Sequence, residues 1–156
     1  RRFNMAASAW QLYNEAKKYI GNGNITLGAG KFYMQLHTSA SNASTFTLSV
    51  NSEVNNQVAA AGGYVTGGRL LVPETGQWVQ GASAKQQKFT MSSIGLAFTA
   101  SGAPIVDIKY AIIRNSTGTT AGRLLCWCQL SSANFTVASP NTLTVLPATT
   151  GIFTLT

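Results

Sequence analysis

The chain is expected to be an all-β protein, a β-sandwich of the jelly-roll or Ig-like kind with one short N-terminal α-helix. Three observations lead there. Beyond residue 24 the sequence breaks into short runs of alternating, β-branched and aromatic residues, each closed by Gly, Ser, Asn or Pro. Only one stretch, near the N-terminus, repeats its apolar residues at helical spacing. Charged residues make up 10% of the 156, well below the roughly one quarter of ordinary soluble domains. Ser, Thr, Asn, Gln and Gly take their place, giving a surface that is polar without being charged.

The helical stretch is "SAWQLYNEAKKYIGNG". Ser8 with Gln11 three residues later forms a capping-box pattern. Trp10, Tyr13 and Ile20, with Ala16 or Lys17 between them, make one apolar stripe over about three turns. Lys17 and Lys18 fall in the last turn, where cations suit the helix dipole, and Gly21–Asn22–Gly23 ends it. The expected organisation is therefore an N-terminal arm and helix over residues 1–23 and a single β-sandwich domain over 24–156.

The strands follow in order. In "KFYMQLHTS", Phe32, Met34 and Leu36 alternate with Tyr33, Gln35 and His37. "STFTLSV" alternates Phe46, Leu48 and Val50 with Thr and Ser. "GGYVTGGRLLV" sets Gly pairs around short strands, a hairpin pattern. "GQWVQG", "QKFTM" and "GLAFTA" are further short strands. "PIVDIKYAIIRN" and "GRLLCWCQL" are the strongest, joined by the turn-rich "NSTGTTAG". "NFTVAS", "NTLTVLP" and "GIFTLT" complete the set. Regularly spaced short strands with turn punctuation describe a sandwich or barrel.

The chain offers little to catalysis. Its cysteines, Cys126 and Cys128, lie two apart on an expected strand and so share one apolar face with Leu124 and Leu130. Parallel side chains about 6.5 Å apart do not converge into a disulfide. A zinc site would need two further ligands, and the remaining Cys/His inventory is His37 alone. The two thiols are therefore expected in the core. His37 has no acidic neighbour in sequence, and the four acids, Glu15, Glu53, Glu74 and Asp107, are widely separated. Asp107 beside Lys109 is expected to be a structural ion pair or an edge charge. Neither a GxSxG elbow, a Walker loop nor an HExxH motif occurs. No catalytic, cofactor-binding or metal-binding residue is assigned, and no cofactor is expected.

The net charge is +7, from eleven basic and four acidic residues, which favours acidic partners. The basic residues are scattered, without a stripe interleaved with aromatics, so nucleic acid is not expected as a partner. No run approaches the roughly 18 apolar residues of a membrane span, and the opening carries charges where a signal peptide would have its apolar core. Four sequons, at Asn24, Asn42, Asn115 and Asn134, are expected to be chance in so Asn- and Thr-rich a chain. Trp10, Trp78, Trp127, Tyr33 and Tyr64 could stack sugars, but aromatics on strands more commonly fill cores and interfaces.

The opening "SAWQLYNEAKKYIGNGNITLGAGKFYMQLHTSASN", the "GGYVTGGRLL" turn, the strands "IKYAIIRNSTG" and "RLLCWCQL" and the closing "LTVLPATTGIFTLT" together resemble small structural proteins of tailed-bacteriophage morphogenesis modules. The resemblance spans nearly the whole chain and rests on turn and strand patterns. It implies a non-enzymatic virion subunit, located in the virion and assembled in the host cytoplasm. Head decoration, cementing the capsid at subunit junctions, is the first expectation; a neck, tail or fibre-base role is the second, and a carbohydrate- or nucleic-acid-binding β module the alternative from another class. Its partners would be the major capsid protein and copies of itself, with no small-molecule substrate and no membrane. Arg1, Arg2 and Phe3 of the arm, with Trp10, Tyr13 and Ile20 of the helix, are the candidate interface residues, since arginine and aromatic side chains dominate interfaces. The competing expectation is that the helix plugs one end of the sandwich.

Overall fold

The computed structural model describes residues 8–73, 77–118 and 122–156. Among these residues, twelve strands and one α-helix form an all-β, sandwich-like fold. A five-stranded antiparallel sheet is the centre. It contains β1 (Gln11–Leu12), β9 (Leu124–Gln129), β8 (Tyr110–Asn115), β2 (Phe32–His37) and β3 (Arg69–Leu70), side by side in that order. Three smaller ribbons surround it: β10 (Phe135–Val137) with β7 (Ile105–Ile108), β11 (Thr142–Val145) with β6 (Leu96–Thr99), and β12 (Phe153–Leu155) with β5 (Gln87–Phe89) and β4 (Trp78–Gln80).

Strand alternation builds the core. Met34 sits opposite Ile113, which sits opposite Cys126, and Leu36 opposite Ala111, which sits opposite Cys128. All six are fully buried. Phe32 extends this face, and its ring meets Phe89 of β5 edge-on at 4.9 Å between centroids. Phe89 in turn stacks on Phe153 of β12 at 5.3 Å. Each buried aliphatic or aromatic side chain contributes about 1.5–3 kcal/mol, so this face is the main source of stability. The opposite face carries Gln35, Ile112 and Trp127 in one row. The long connection from β2 to β3 meets that face, with Phe46 edge-on to Trp127 at 5.6 Å.

The N-terminal segment departs from the expected helix. Helix α1 covers Asn14–Gly21, and Gln11–Leu12 before it form strand β1. Ser8 does not cap the helix: its N–H donates to Gln129 O at 2.8 Å, and its Oγ accepts from Gln129 N–H at 2.9 Å. Gln11 pairs with Trp127 and Leu12 with Cys126. The exposed edge of β9 offers a row of backbone partners, and that ladder outweighs the weak local preference for helix. Tyr13 precedes the helix as the N-cap residue and makes no side-chain cap. The helix carries the i,i+3 ion pair Glu15–Lys18 at 3.4 Å.

Two other expectations are corrected. "STFTLSV" is a series of turns, in which Thr45 N–H donates to Asn42 O and Leu48 N–H to Thr45 O. Asn42 and Asn55 exchange side-chain-to-backbone bonds at 2.9 Å each way, holding the segment in turns by local capture of the backbone. "PIVDIKYAIIRN" is two strands in different sheets, not one. Asp107, the third residue of β7, adopts φ 55°, a left-handed conformation that breaks the extended run before β8 begins. Its carboxylate accepts from Asn134 Nδ2 at 2.7 Å and Ser39 Oγ at 2.9 Å, the contacts that hold it there in place of the expected pair with Lys109.

Candidate functional site

The features that stand out are an open strand edge and the groove beside it. Ala100 N–H donates to Asn141 O at 2.9 Å. With Leu143 opposite Phe98 and Val145 opposite Leu96, antiparallel alternation makes those two pairs the hydrogen-bonded ones. Thr142 and Thr144 therefore aim their N–H and C=O groups away from β6. On the β6 side, Arg69 donates to Ala97 O, and just beyond the strand Ser101 N–H donates to Gly62 O at 3.0 Å. On β11 no such cover exists among the described residues.

The open edge borders a groove of about 380 Å³. Trp10, Leu143, Thr144, Leu146, Pro147 and Ile152 are among its walls, and none of the described residues lining it is charged. Ser8 and Ala9 form the facing wall, beside Cys128 and Leu130. A second hollow, lined by Ile94, Gly95, Thr142 and Thr144, lies on the same ribbon. Ile94 is 80% exposed and Leu146 54%. Gly95 packs against Leu146 so closely that a Cβ there would fall 2.8 Å from its Cδ2. The ribbon thus presents exposed apolar side chains next to unpaired backbone, the combination that invites another strand.

Of the expected interface residues, Arg1, Arg2 and Phe3 lie outside the described residues. Trp10 is half-buried and lines the groove. Tyr13 is not available to a neighbour: it is fully buried, and its hydroxyl donates to Ala43 O at 2.6 Å. Ile20 is half-buried against the chain's own core. The single helical stripe of Trp10, Tyr13 and Ile20 does not form, because Trp10 and Tyr13 precede the helix. The groove was not foreseen; Leu146 before Pro147 in "TVLPATTG" was its one local trace.

The candidate chemical groups are placed as structural ones. Cys126 and Cys128 are free and buried. Burial pushes the Cys128 thiol up to about 12; burial, reinforced by Cys128, holds Cys126 well above the ordinary thiol range. His37 is 1% exposed, and its Nδ1 lies 3.1 Å from Asn55 O and 3.3 Å from Ser41 Oγ. Burial lowers its pKa to about 4, partly opposed by the bond to Asn55. The described acidic and thiol groups form no cluster suited to a metal ion, and no described helix is long and apolar enough to cross a membrane.

Several of the aromatic and basic residues are likewise engaged within the chain. Trp127 lies between Phe46 and Tyr110, Trp78 against Phe153, and Tyr64 is buried with its hydroxyl accepting from Leu36 N–H. Arg114 covers Tyr33 and Arg123 covers Tyr19, with guanidinium carbons 5.1 Å and 4.5 Å from the ring centres. No protein-family model, curated protein or solved structure matches the chain.

Proposed function

We propose that this chain is a non-enzymatic structural subunit of a bacteriophage virion, most simply a decoration protein that cements the capsid where its subunits meet. The observation that carries the reading is the β11 ribbon: an open strand edge beside an uncharged groove, flanked by exposed Ile94 and Leu146. A repeated subunit buries such a surface against neighbours, whereas a freely diffusing monomer gains nothing from it. The sparse charge, 10% of residues, supports the same reading, because charged residues are depleted in the cores of protein interfaces. The sequence resemblance to tailed-phage structural proteins supplies the class of assembly. The partners are then the major capsid protein and other copies of this chain, within a virion assembled in the host cytoplasm.

Quantitative mass spectrometry of purified particles tests this. A decoration subunit occurs at a copy number comparable to that of the major capsid protein. A copy number matching a single ring would place the chain at the neck or tail instead, and absence from purified particles would overturn the virion reading.

A further inference from the structure

We propose that β11 is the contact strand between two copies of this chain. The two strands pair antiparallel across a two-fold axis beside Leu143, with Thr142 of each copy opposite Thr144 of the other. This deepens the reading of the chain as a repeated subunit and rests on it. The backbone, the build of the edge and its charge each favour a second copy as the occupant.

The backbone makes the edge self-complementary. The ladder between β11 and β6 runs in unbroken register from Thr142–Thr99 to Val145–Leu96. Ala100 N–H donates to Asn141 O, so Leu143 and Val145 are bonded to β6 and the N–H and C=O groups of Thr142 and Thr144 point the other way. Those outward groups have no partner among the described residues. The Thr142 hydroxyl is turned back to Thr99 Oγ1 at 2.9 Å and leaves the edge clear. In the two-fold pairing Thr142 exchanges both backbone bonds with Thr144 of the second copy, and Thr144 does the same with Thr142. Every outward group of the strand is then bonded, as in strand addition generally, and the two ribbons join into one four-stranded sheet.

The edge also lacks the devices that keep strands apart. Lysine, proline or a bulge blunts exposed edges in natural sheets. Thr142–Val145 reads "TLTV" and keeps its register, whereas β10 is bulged where it meets β7. Pro140 and Pro147 lie just outside the strand, and neither can donate a backbone bond, so they bound the pairing. The same register sets Leu146, 54% exposed, opposite Pro140 of the second copy, an apolar contact at each end of the seam.

Charge decides between a second copy and an acidic partner. At a net charge of +7, copies repel one another over most approaches. None of the described residues lining the hollows on either side of β11 is charged. Two like-charged copies meet there without setting cation against cation, whereas an acidic partner gains nothing from a face without cations.

The test uses the full-length chain alone. Sedimentation equilibrium should show a monomer–dimer equilibrium that tightens as salt rises, because salt screens repulsion between the copies. Amide hydrogen exchange at Thr142 and Thr144 should slow at least tenfold as the concentration passes through the dimerisation range. Leu143 and Val145, already bonded to β6, should change little. Thr144→Pro removes an outward N–H and no bond to β6, so it should raise the dimer dissociation constant at least tenfold and keep a cooperative melt. Thr144→Lys keeps the N–H but puts a cation into the seam; it should weaken the dimer as much, and it replaces the proline variant if that one does not fold. A chain that stays monomeric at every concentration would overturn the proposal and leave the edge to a different protein. Protection of Thr142 and Thr144 that ignores concentration would overturn it and assign the cover to the chain itself. A dimer that weakens with salt, or one unaffected by both substitutions, would overturn it as well. No particle enters these assays, so their failure is separable from failure of the virion reading, which particle composition decides.

Discussion

The Tyr13 hydroxyl donates to Ala43 O at 2.6 Å, tying the turn between β1 and the helix to the connection that leaves β2. Both residues are fully buried. Removing the donor strands a buried carbonyl, which costs about 1–3 kcal/mol. Tyr13→Phe should lower unfolding free energy in urea by that amount with an unchanged slope; an effect within error of zero would show that the bond adds no net stability.

His37 makes stability depend on pH. Its folded pKa, about 4, lies below the ordinary 6.5 because burial disfavours the imidazolium. The unfolded chain therefore binds the proton first as pH falls. Stability is full above 6.5 and is lost as pH drops toward 4, by about 3 kcal/mol over the window. His37→Gln, which has no proton to gain, should flatten the dependence between those values. An equally steep profile in the variant would assign it to other groups. The carboxylates of Glu53 and Asp107, held low chiefly by bonds from Ser49 and Asn134 respectively, add their own losses only at lower pH, as they protonate.

Cys126 and Cys128 fill a wall of the core. The native chain should react with an aromatic disulfide reagent only as fast as it opens, and both thiols should react at once in denaturant. Cys126→Ser, which buries a hydroxyl, should cost about 1–3 kcal/mol. Rapid native labelling of either thiol would contradict the packing.

Gly68 tolerates no side chain. It has φ +81°, and a Cβ would fall 2.0 Å from the Met34 carbonyl oxygen. Gly68→Ala must strain the backbone and shift β2 or β3, at a cost of about 1–3 kcal/mol for the conformation alone. A thermal melt should show a clear drop; an unchanged midpoint would mean that the turn can re-form elsewhere.

Much of this architecture was legible in the sequence, and the reasons are local. The alternation in Phe32–His37 and in Leu124–Gln129 reports strand faces directly, and the glycine pairs around Tyr64 report turns. The burial of both thiols followed from a two-residue spacing on an apolar face. What was not legible depends on partners distant in sequence. Gln11 and Leu12 are strand because Trp127 and Cys126 lie beside them, and no local pattern contains that. The same pairing moved Trp10 and Tyr13 off the helix and put Tyr13 in the core. The bend at Asp107 is set by Ser39 and Asn134, neither near it in the chain. The groove is further still from the sequence, since its walls come from residues 8–10, 128–130 and 143–152.

A cryo-EM reconstruction of the native particle tests the central claim most directly. The account predicts many copies on the capsid lattice at subunit junctions, with the β11 edge and its groove buried against a neighbouring subunit. A particle in which this chain is present but the β11 ribbon faces open solvent would contradict the interface. A particle that lacks the chain altogether would contradict the virion role.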